Sequence, residues 1–216
     1  MHVLILMDLD GTLTDPYDGI SRSIVHALAG LGVPEPPVSV LRSFIGPPLQ
    51  DSFAALGLDG AAAADAIALY RDRFGRLGLY ENSLYDGIPE VLDALCGAGH
   101  QLAVATSKPT PFAERIVQHL GIAESFGFVA GATLDGTRRH KADVITLALE
   151  HLGVPAGEAV MVGDRAQDIV GAQAHGMRSI GVRWGYAEDG ELERAGADAV
   201  VSTPAELTRA VSLVTA

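Results

Sequence analysis

The sequence predicts an α/β fold in which a doubly wound parallel sheet is interrupted by an inserted helical domain. Three observations carry this prediction: short apolar runs without polar alternation, amphipathic stretches between them, and one long segment without a convincing strand. Continuous apolar runs are typical of strands buried on both faces, as in parallel sheets covered by helices. Strands that alternate with helices along the chain indicate parallel pairing through crossover connections. The core is therefore expected to be Rossmann-like.

The predicted strands and helices follow one another in strict succession. The first strand runs from Val3 to Leu9, and later apolar runs occupy residues 102–105, 126–130, 159–162, 179–182 and 198–201. Between them, apolar residues recur three or four apart, which indicates helices at residues 89–97, 111–120, 141–152, 167–175 and 204–214. Gly153 and Gly176 stand where the end of a helix favours a left-handed residue.

The segment between the first strand and the rest of the sheet has a different pattern. It predicts a helix from Tyr17 to Leu31, a proline-rich turn at 34–37, short helices from Ser39 and Pro48, and a helix from Ala61 to Leu77. We interpret residues 15–83 as an all-helical cap, and residues 1–14 and 84–216 as a catalytic core. A plain three-layer domain with an elongated first crossover is the alternative.

Composition limits the classes of function. The chain has 216 residues, of which 48% are hydrophobic and 19% charged, and its formal net charge is −12. Basic residues form no dense patch, so no nucleic-acid partner is expected, and no apolar run approaches the ~20 residues of a membrane span. The single cysteine, Cys96, excludes an internal disulfide and is expected in the core. We expect a cytoplasmic enzyme or binding protein, as a monomer or homodimer.

The most informative segment for chemistry follows the first strand and reads Asp8-Leu9-Asp10-Gly11-Thr12. Residues two apart on a strand point to the same face, which places the two carboxylates roughly 6.6 Å apart along it. Two carboxylates on an apolar strand are costly unless a cation or hydrogen-bond donors compensate them. The glycine permits a turn and a close approach of the backbone to a bound anion. An ordinary aspartate-rich turn is the alternative.

Three later segments add groups that suit a phosphate or a cation. Thr106-Ser107-Lys108 ends the second strand with two hydroxyls and an ammonium group. Lys141 opens a helix, where positive charge is unfavourable unless an anion lies nearby. Asp164 and Asp168 follow another strand, and their spacing of four places both on one face of a helix. Lys108 and Lys141 are the only lysines in the chain, and lysine supplies a compact charge that suits phosphate.

These four segments, in this order and at these strand ends, resemble the four motifs of the haloacid dehalogenase superfamily over nearly the whole chain. The helical insertion resembles the small helical cap of that superfamily. Two further segments, at residues 44–49 and 134–141, are most similar to phosphoglycolate phosphatases and 5'-nucleotidase-like members. The resemblance implies a Mg²⁺-dependent phosphatase that acts on a small phosphorylated metabolite, such as phosphoglycolate or a nucleoside monophosphate.

The resemblance also implies roles for individual residues. Asp8 is implied as the nucleophile that forms an aspartyl-phosphate, and Asp10 as the acid that protonates the leaving alkoxide and then activates water. The implied Mg²⁺ ligands are Asp8, the main-chain carbonyl of Asp10, and Asp164, with Asp168 as a water-mediated candidate. The implied phosphate contacts are Gly11, Thr106, Ser107 and Lys141, and the further candidates for a cap or substrate contact are Arg42, Gly46 and Lys108.

Residue types separate the members of the superfamily. Dehalogenases have no need of an acid two residues after the nucleophile, so Asp10 favours phosphoryl transfer. Phosphonate-cleaving members need a cap lysine, and the insertion contains none. A sugar phosphomutase stays open as an alternative, as does a phosphorylatable signalling or binding module, although such modules have no large helical insertion. Trp184 and Tyr186, after a predicted strand, are expected to pack or to line the rim of the cleft.

Overall fold

The structure is a computed structural model, and it describes residues 2–215 of the chain. The chain forms two compact units. The larger unit contains the chain up to Asp15 and from Leu84 onward, and the smaller unit contains Pro16–Ser83. The division falls one residue from the sequence-based boundary at 14/15 and on the sequence-based boundary at 83/84. The catalytic and capping roles given to the two units stay predictions.

The larger unit is built on a parallel sheet. Within residues 2–215 the strands are β1 (Leu4–Met7), β2 (Thr14–Asp15), β3 (Ser83–Leu84), β4 (Gln101–Pro109), β5 (Phe128–Ala132), β6 (Ala159–Gly163), β7 (Arg178–Val182) and β8 (Ala199–Val201). The short strands β2 and β3 mark the points where the chain passes between the units. The other six described strands form one sheet in the order β5-β4-β1-β6-β7-β8, with every neighbouring pair parallel. This arrangement confirms the predicted doubly wound α/β fold.

The direction of winding reverses at β1. From β1 the chain proceeds outward through β4 and β5, then returns to the other side of β1 with β6 and continues through β7 and β8. In open parallel sheets, ligands bind outside the carboxyl ends of the strands at such a reversal point. Asp8 follows β1, Thr106 lies in β4 and Asp164 follows β6. The topology therefore brings these three residues to the same edge of the sheet.

The smaller unit is helical. Its helices are α1 (Tyr17–Gly30), α2 (Val38–Ser43), α3 (Leu49–Ala55) and α4 (Gly60–Arg76), followed by a 3₁₀ turn at Gly78–Tyr80. α1 packs along α4, Phe44 and Phe53 form an edge-to-face pair, and Arg73 pairs with Glu81. The unit thus has internal contacts of its own, and the insertion is helical, as predicted.

The larger unit carries the remaining helices. They are α5 (Ile88–Gly97), α6 (Thr110–His119), α7 (Lys141–Leu152), α8 (Ala166–Gln173), α9 (Glu191–Arg194) and α10 (Leu207–Val214), with 3₁₀ turns at Ala123–Ser125, Ala156–Glu158 and Pro204–Glu206. α9 is the one described helix here that the sequence pattern did not predict. Gly153 caps α7 with a φ of 66°, which confirms its predicted left-handed conformation. Among residues 2–215, no helix has the length and apolar character needed to cross a membrane.

The expectation that Cys96 lies in the core is wrong, because its side chain is exposed. The buried positions of α5 are Ile88, Val91, Leu92 and Leu95, a stripe spaced three and four residues apart. Cys96 follows this stripe and falls to one side of it, since successive helical residues point in directions about 100° apart. An apolar residue next to the buried stripe is not by itself a core residue.

Both faces of the sheet are covered at β1. Leu4 and Leu6 pack in one cluster with Val144 of α7, whereas Ile5 and Met7 point to the opposite face and are also fully buried. Burial on both faces explains why this strand shows no polar alternation. A strand held between two neighbours and two apolar layers is a rigid base for Asp8, which directly follows it.

Candidate active site

Lys141 lies at the centre of the site. Its buried Nζ lies 2.9 Å from Oδ1 of Asp8 and 2.7 Å from Oδ1 of Asp168, and it donates a hydrogen bond of 2.9 Å to the main-chain carbonyl of Ala105. Burial opposes the charge, but the carboxylates of Asp168 and Asp8 more than offset this effect and raise the pKa of the Lys141 ammonium group. The lysine at the start of α7 therefore stays charged and is fixed between two carboxylates.

Three buried carboxylates converge beside this lysine. One oxygen from each of Asp8, Asp164 and Asp168 lies within 4.8 Å of the others. Burial, and then the negative charges of Asp168 and Asp8, raise the pKa of the Asp164 carboxyl well above its usual value. Burial also raises the pKa of Asp168 to about 6, although Lys141 acts in the opposite direction. Such a cluster suits a hard divalent cation, which prefers carboxylate oxygens.

Main-chain amides hold the two later carboxylates in place. The amide of Tyr186 donates to Oδ2 of Asp164 at 2.8 Å, and the amide of Arg165 donates to Oδ2 of Asp168 at 3.0 Å. Asp168 thereby caps the first turn of α8 while its other oxygen faces Lys141. One side chain therefore both caps a helix and neighbours the charged site.

Asp10 forms an ion pair with the other lysine. Nζ of Lys108 lies 2.6 Å from Oδ2 of Asp10, and both residues are buried. Oδ1 of Asp10 is also buried, and it has no hydrogen-bond partner among the described residues. Burial raises the pKa of the Asp10 carboxyl, although Lys108 acts in the opposite direction. Lys108, a candidate for a cap or substrate contact, lies in β4 of the larger unit, in a pair that the sequence pattern does not predict. Its contact with a substrate stays a prediction.

The loop after β1 packs tightly against Asp164. Gly11 has a φ of +86°, and a β-carbon at this position would lie 2.2 Å from Oδ2 of Asp164. Both the backbone angle and the lack of space therefore require glycine. The hydroxyl of Thr12 donates to Oδ1 of the same carboxylate at 3.2 Å. The expected contact of Gly11 with phosphate stays a prediction.

Thr106 and Ser107 lie near the end of β4. Because Met7 pairs with Val104, Thr106 reaches the same edge of the sheet as the residues that follow β1. The register of β4 against β5 shifts between Thr106 and Pro109, and such irregularities commonly re-aim side chains near sites. Thr106 is buried and its hydroxyl oxygen accepts a hydrogen bond from the Lys108 amide at 3.2 Å, whereas Ser107 is half-buried.

The two candidates in the insertion belong to the smaller unit. Arg42 is exposed near the end of α2, and its guanidinium group lies over the ring of Tyr17, 5.9 Å from the centroid. Gly46 follows α2 and has a φ of 108°. Their contact with a substrate stays a prediction. The larger unit itself brings together the other charged candidates and the glycine, namely Asp8, Asp10, Gly11, Lys108, Lys141, Asp164 and Asp168.

The segment after β7 makes contacts at the site that the sequence analysis did not identify. The indole N–H of Trp184 donates to the main-chain carbonyl of Thr12 at 2.9 Å. The amide of Tyr186 donates to Asp164, and its hydroxyl donates to the carboxylate of Asp15. Only the topology could have predicted these contacts. β7 pairs in parallel with β6, and Asp164 follows β6. The residues after both strands therefore lie at the same edge of the sheet.

The fold and the site together define a doubly wound α/β protein with an aspartate pair after the central strand and a carboxylate cluster beside a buried lysine. Residues 5–182 match the model of the haloacid dehalogenase-like hydrolase family. The chain belongs to this family, as the four motifs indicated.

Three curated relatives and one solved structure illustrate the similarity. The chain is 49% identical over 189 residues to a 5'-nucleotidase of Pseudomonas aeruginosa, covering 87% of this chain and 86% of that protein. It is 46% identical over 183 residues to the tyrosine-protein kinase PtkA of Mycobacterium tuberculosis, covering 85% of this chain and 62% of that protein. It is 33% identical over 222 residues to a plasmid-encoded phosphoglycolate phosphatase of Cupriavidus necator, covering 95% and 93%. A predicted phosphatase from Clostridium acetobutylicum has the same fold, with a TM-score of 0.94 and 40% identity over 98% of this chain and 99% of that one.

Proposed function

We propose that the protein is a phosphatase that hydrolyses a small phosphate monoester through a covalent intermediate on Asp8. The observation that carries the proposal is the position of Asp8, a buried carboxylate at the reversal point of the sheet, 2.9 Å from the Lys141 ammonium group and beside two further carboxylates. The similarity to a 5'-nucleotidase and to a phosphoglycolate phosphatase supports this reaction class. Phosphoglycolate and nucleoside monophosphates are the first substrates to test.

The residues of the site fit a Mg²⁺ ion. The site contains four buried carboxyl groups: those of Asp8 and Asp168 pair with Lys141, that of Asp10 pairs with Lys108, and that of Asp164 lies beside Asp8 and Asp168. When ionised, the three carboxylates of Asp8, Asp164 and Asp168 beside the one ammonium group of Lys141 leave a local excess of two negative charges, which a divalent cation would balance. In our proposal Asp8, Asp164 and the main-chain carbonyl of Asp10 hold the ion, and Asp168 contacts one of its water ligands. Bound Mg²⁺ would neutralise charge on the phosphoryl oxygens.

In the first proposed half-reaction, a carboxylate oxygen of Asp8 bonds to phosphorus, and the bond between phosphorus and the ester oxygen breaks. An approach of two anions is unfavourable, so the ammonium group of Lys141 and the hydroxyl of Thr106 stabilise the phosphoryl oxygens. Asp10 donates its proton to the departing oxygen, which leaves as an alcohol. The raised pKa of the Asp10 carboxyl favours the protonated form that this step uses.

In the second half-reaction, water hydrolyses the aspartyl-phosphate. The carboxylate of Asp10, now deprotonated, accepts a proton from the water as its oxygen bonds to phosphorus. Asp8 leaves as a carboxylate, and inorganic phosphate is released. Both residues return to their initial protonation states, so the cycle consumes one ester and one water and yields one alcohol and one phosphate.

Phosphate release with Asp8→Asn tests this proposal. The wild-type protein with Mg²⁺ should release inorganic phosphate from an aryl phosphate and from at least one member of a panel of small phosphate monoesters. Asp8→Asn should reduce release to the background rate, because an amide of nearly the same shape cannot act as the nucleophile. Asp143→Asn, a matched change at an exposed position of α7, should retain activity. Turnover by Asp8→Asn excludes Asp8 as nucleophile, and a wild-type protein that releases no phosphate from the panel contradicts the phosphatase.

Product analysis in the same assay distinguishes the acceptors of the phosphoryl group. A phosphomutase would return the group to a sugar without releasing phosphate, and a phosphorylatable module would retain it. The 46% identity to a tyrosine-protein kinase favours testing a tyrosine hydroxyl as an acceptor as well. A stoichiometric yield of inorganic phosphate identifies water as the acceptor.

A further inference from the structure

Residues 184–186, which we call the strap, attach to the site at three points. Trp184 donates to the carbonyl of Thr12, and Tyr186 donates through its amide to Asp164 and through its hydroxyl to Asp15. Two of the attachments hold the loop of residues 9–15, at Thr12 and Asp15, and the third holds the Asp164 carboxylate of the cluster. The strap therefore joins Thr12 and Asp164, two parts of the site that lie 152 positions apart in the sequence.

The strap also lies in close contact with both parts. A β-carbon at residue 185 would lie 2.3 Å from the carbonyl oxygen of Gly11 and 2.4 Å from the β-carbon of Asp164. Contacts this short leave no room for any side chain, so Gly185 is required by space. Residues 184–186 are only half-buried, so water could accept hydrogen bonds from their donors. Packing alone therefore does not explain why all three donors bond to the loop and the cluster.

We propose that the strap is a positioning element of the active site and that Tyr186 is a positioning residue. By holding Asp164 at one end and Asp15 at the other, Tyr186 fixes the loop of residues 9–15 relative to the carboxylate cluster. The distance between Asp8 and Asp164 is thereby set for a shared cation and an incoming phosphoryl group. This inference rests on the proposed function, which it extends to a segment that touches no reacting atom.

Tyr186→Phe is the main test, because it removes the hydroxyl while keeping the ring and the amide. A hydrogen bond to a carboxylate is stronger than one between neutral groups, so we expect kcat to fall about tenfold, with KM within about twofold of wild type. The Mg²⁺ dissociation constant, measured by titration calorimetry without substrate, should rise several-fold. Hydrogen exchange should increase in peptides that cover residues 9–15.

Asp198→Asn is the matched control. Asp198 accepts hydrogen bonds from Arg178 and from the amide of Ser179 at the other end of β7, so the change weakens the same strand away from the site. It should lower the melting temperature without altering Mg²⁺ affinity, kcat or exchange in residues 9–15. Gly185→Ala is a second test, since it keeps all three donors but forces the strap away from Gly11, and it should weaken Mg²⁺ binding more than Tyr186→Phe.

A double-mutant cycle tests whether Tyr186 acts through Asp15. Asp15→Ala should reduce kcat and Mg²⁺ affinity about as much as Tyr186→Phe, and the double variant should be no worse than either one. Asp15→Asn keeps an acceptor oxygen and should restore most of the loss. If the losses of kcat in the two single variants add in the double variant, Tyr186 does not act through Asp15.

The readouts separate the strap from the proposed reaction. If Tyr186→Phe lowers the melting temperature yet leaves Mg²⁺ affinity and exchange in residues 9–15 at wild-type values, the strap is only structural and the inference is wrong. If the wild-type protein hydrolyses no phosphate ester but the calorimetry and exchange results follow the prediction, the proposed function fails and the positioning role stands.

Discussion

The two lysines of the chain are both buried beside an aspartate of the segment after β1, but their surroundings differ. Lys141 donates a hydrogen bond to a main-chain carbonyl and lies within ion-pair distance of both Asp8 and Asp168, although Oδ1 of Asp168 lacks hydrogen-bond geometry. Lys108 pairs with Asp10, and the second oxygen of that carboxylate is buried without a partner among the described residues. Asp8 thus shares its lysine with a second carboxylate, whereas Asp10 has one oxygen in an ion pair and one that faces neither a hydrogen-bond donor nor an ion-pair partner among the described residues.

This difference suggests that the part of the site around Lys141 and the part around Lys108 have different roles in the proposed reaction. A lysine held by several contacts is rigid, which suits the proposed nucleophile, because it must meet phosphorus in one geometry. A buried oxygen without a partner costs stability and is most easily understood where a substrate or a proton is to be received. In the proposed reaction, the part around Lys141 would fix the geometry of Asp8, and the part around Lys108 would serve proton transfer by Asp10.

The largest effect is expected from Lys141→Met. The change removes a cation from beside the phosphoryl oxygens and from between two carboxylates, so kcat should fall by about 10³-fold, as it does when a main electrostatic donor is lost. Breaking a buried ion pair also destabilises, here by ~3–5 kcal/mol above neutral pH. Steady-state kinetics and denaturant unfolding measure the two effects separately.

Lys141→Arg is the informative control for that change. A β-carbon at Gly171 would already lie 2.9 Å from Cγ of Lys141, so the stem is closely packed, and a larger planar guanidinium group cannot take the place of a compact ammonium group. Lys141→Arg keeps the positive charge and should therefore be more stable than Lys141→Met in urea unfolding, but it should recover little of kcat. A kcat within about tenfold of wild type for Lys141→Met would contradict a central role for this lysine.

A smaller and more selective effect is expected from Lys108→Met. The change releases one oxygen of Asp10, whose proposed task is to protonate the leaving oxygen. Protonation matters more for a basic alkoxide than for a phenolate, so kcat should fall about 10²-fold for an alkyl phosphate and only a few-fold for p-nitrophenyl phosphate. The ratio of the two kcat values is the quantity to compare.

Lys108→Arg keeps the charge and should restore part of the alkyl phosphate activity. Arg76→Gln, which breaks an exposed ion pair with Asp72 in the smaller unit, should leave the ratio unchanged. Equal losses on both substrates would assign Lys108 to substrate binding or folding rather than to Asp10.

The fold could be predicted from the sequence because its signals are local. The non-alternating run of β1 follows from burial on both faces, and the glycine after α7 follows from the angle that ends the helix. The four motif segments were recognisable because the chemistry after each strand depends on a few adjacent residues. Lys141 at the start of α7 even predicted an anion nearby, which the structure identifies as Asp8 and Asp168.

The contacts between segments could not be predicted in the same way. The pair of Lys108 with Asp10 depends on the register of β4 against β1 and on the irregular end of β4, which no pattern within either segment encodes. The strap is a similar case, since aromatic residues after a strand are compatible with packing, with a cleft rim and with the hydrogen bonds found here. The sequence identified the segments that form the site, whereas the contacts between those segments were visible only in the tertiary structure.

The smallest expected effect is on the pH dependence of the free energy of unfolding, and it comes from Asp168 beside Lys141. The pKa of Asp168 is raised from 3.8 to about 6, so between these values the folded protein binds a proton that the unfolded chain has lost. Without Mg²⁺, the free energy of unfolding should therefore fall as pH rises from about 4 to about 6, by roughly 1 kcal/mol per pH unit from this group, and then level off. Asp168→Asn should remove that part of the slope in urea unfolding experiments. Parallel slopes in the two proteins would mean that Lys141 holds Asp168 ionised throughout, and that the ion pair between them is stronger than its geometry indicates.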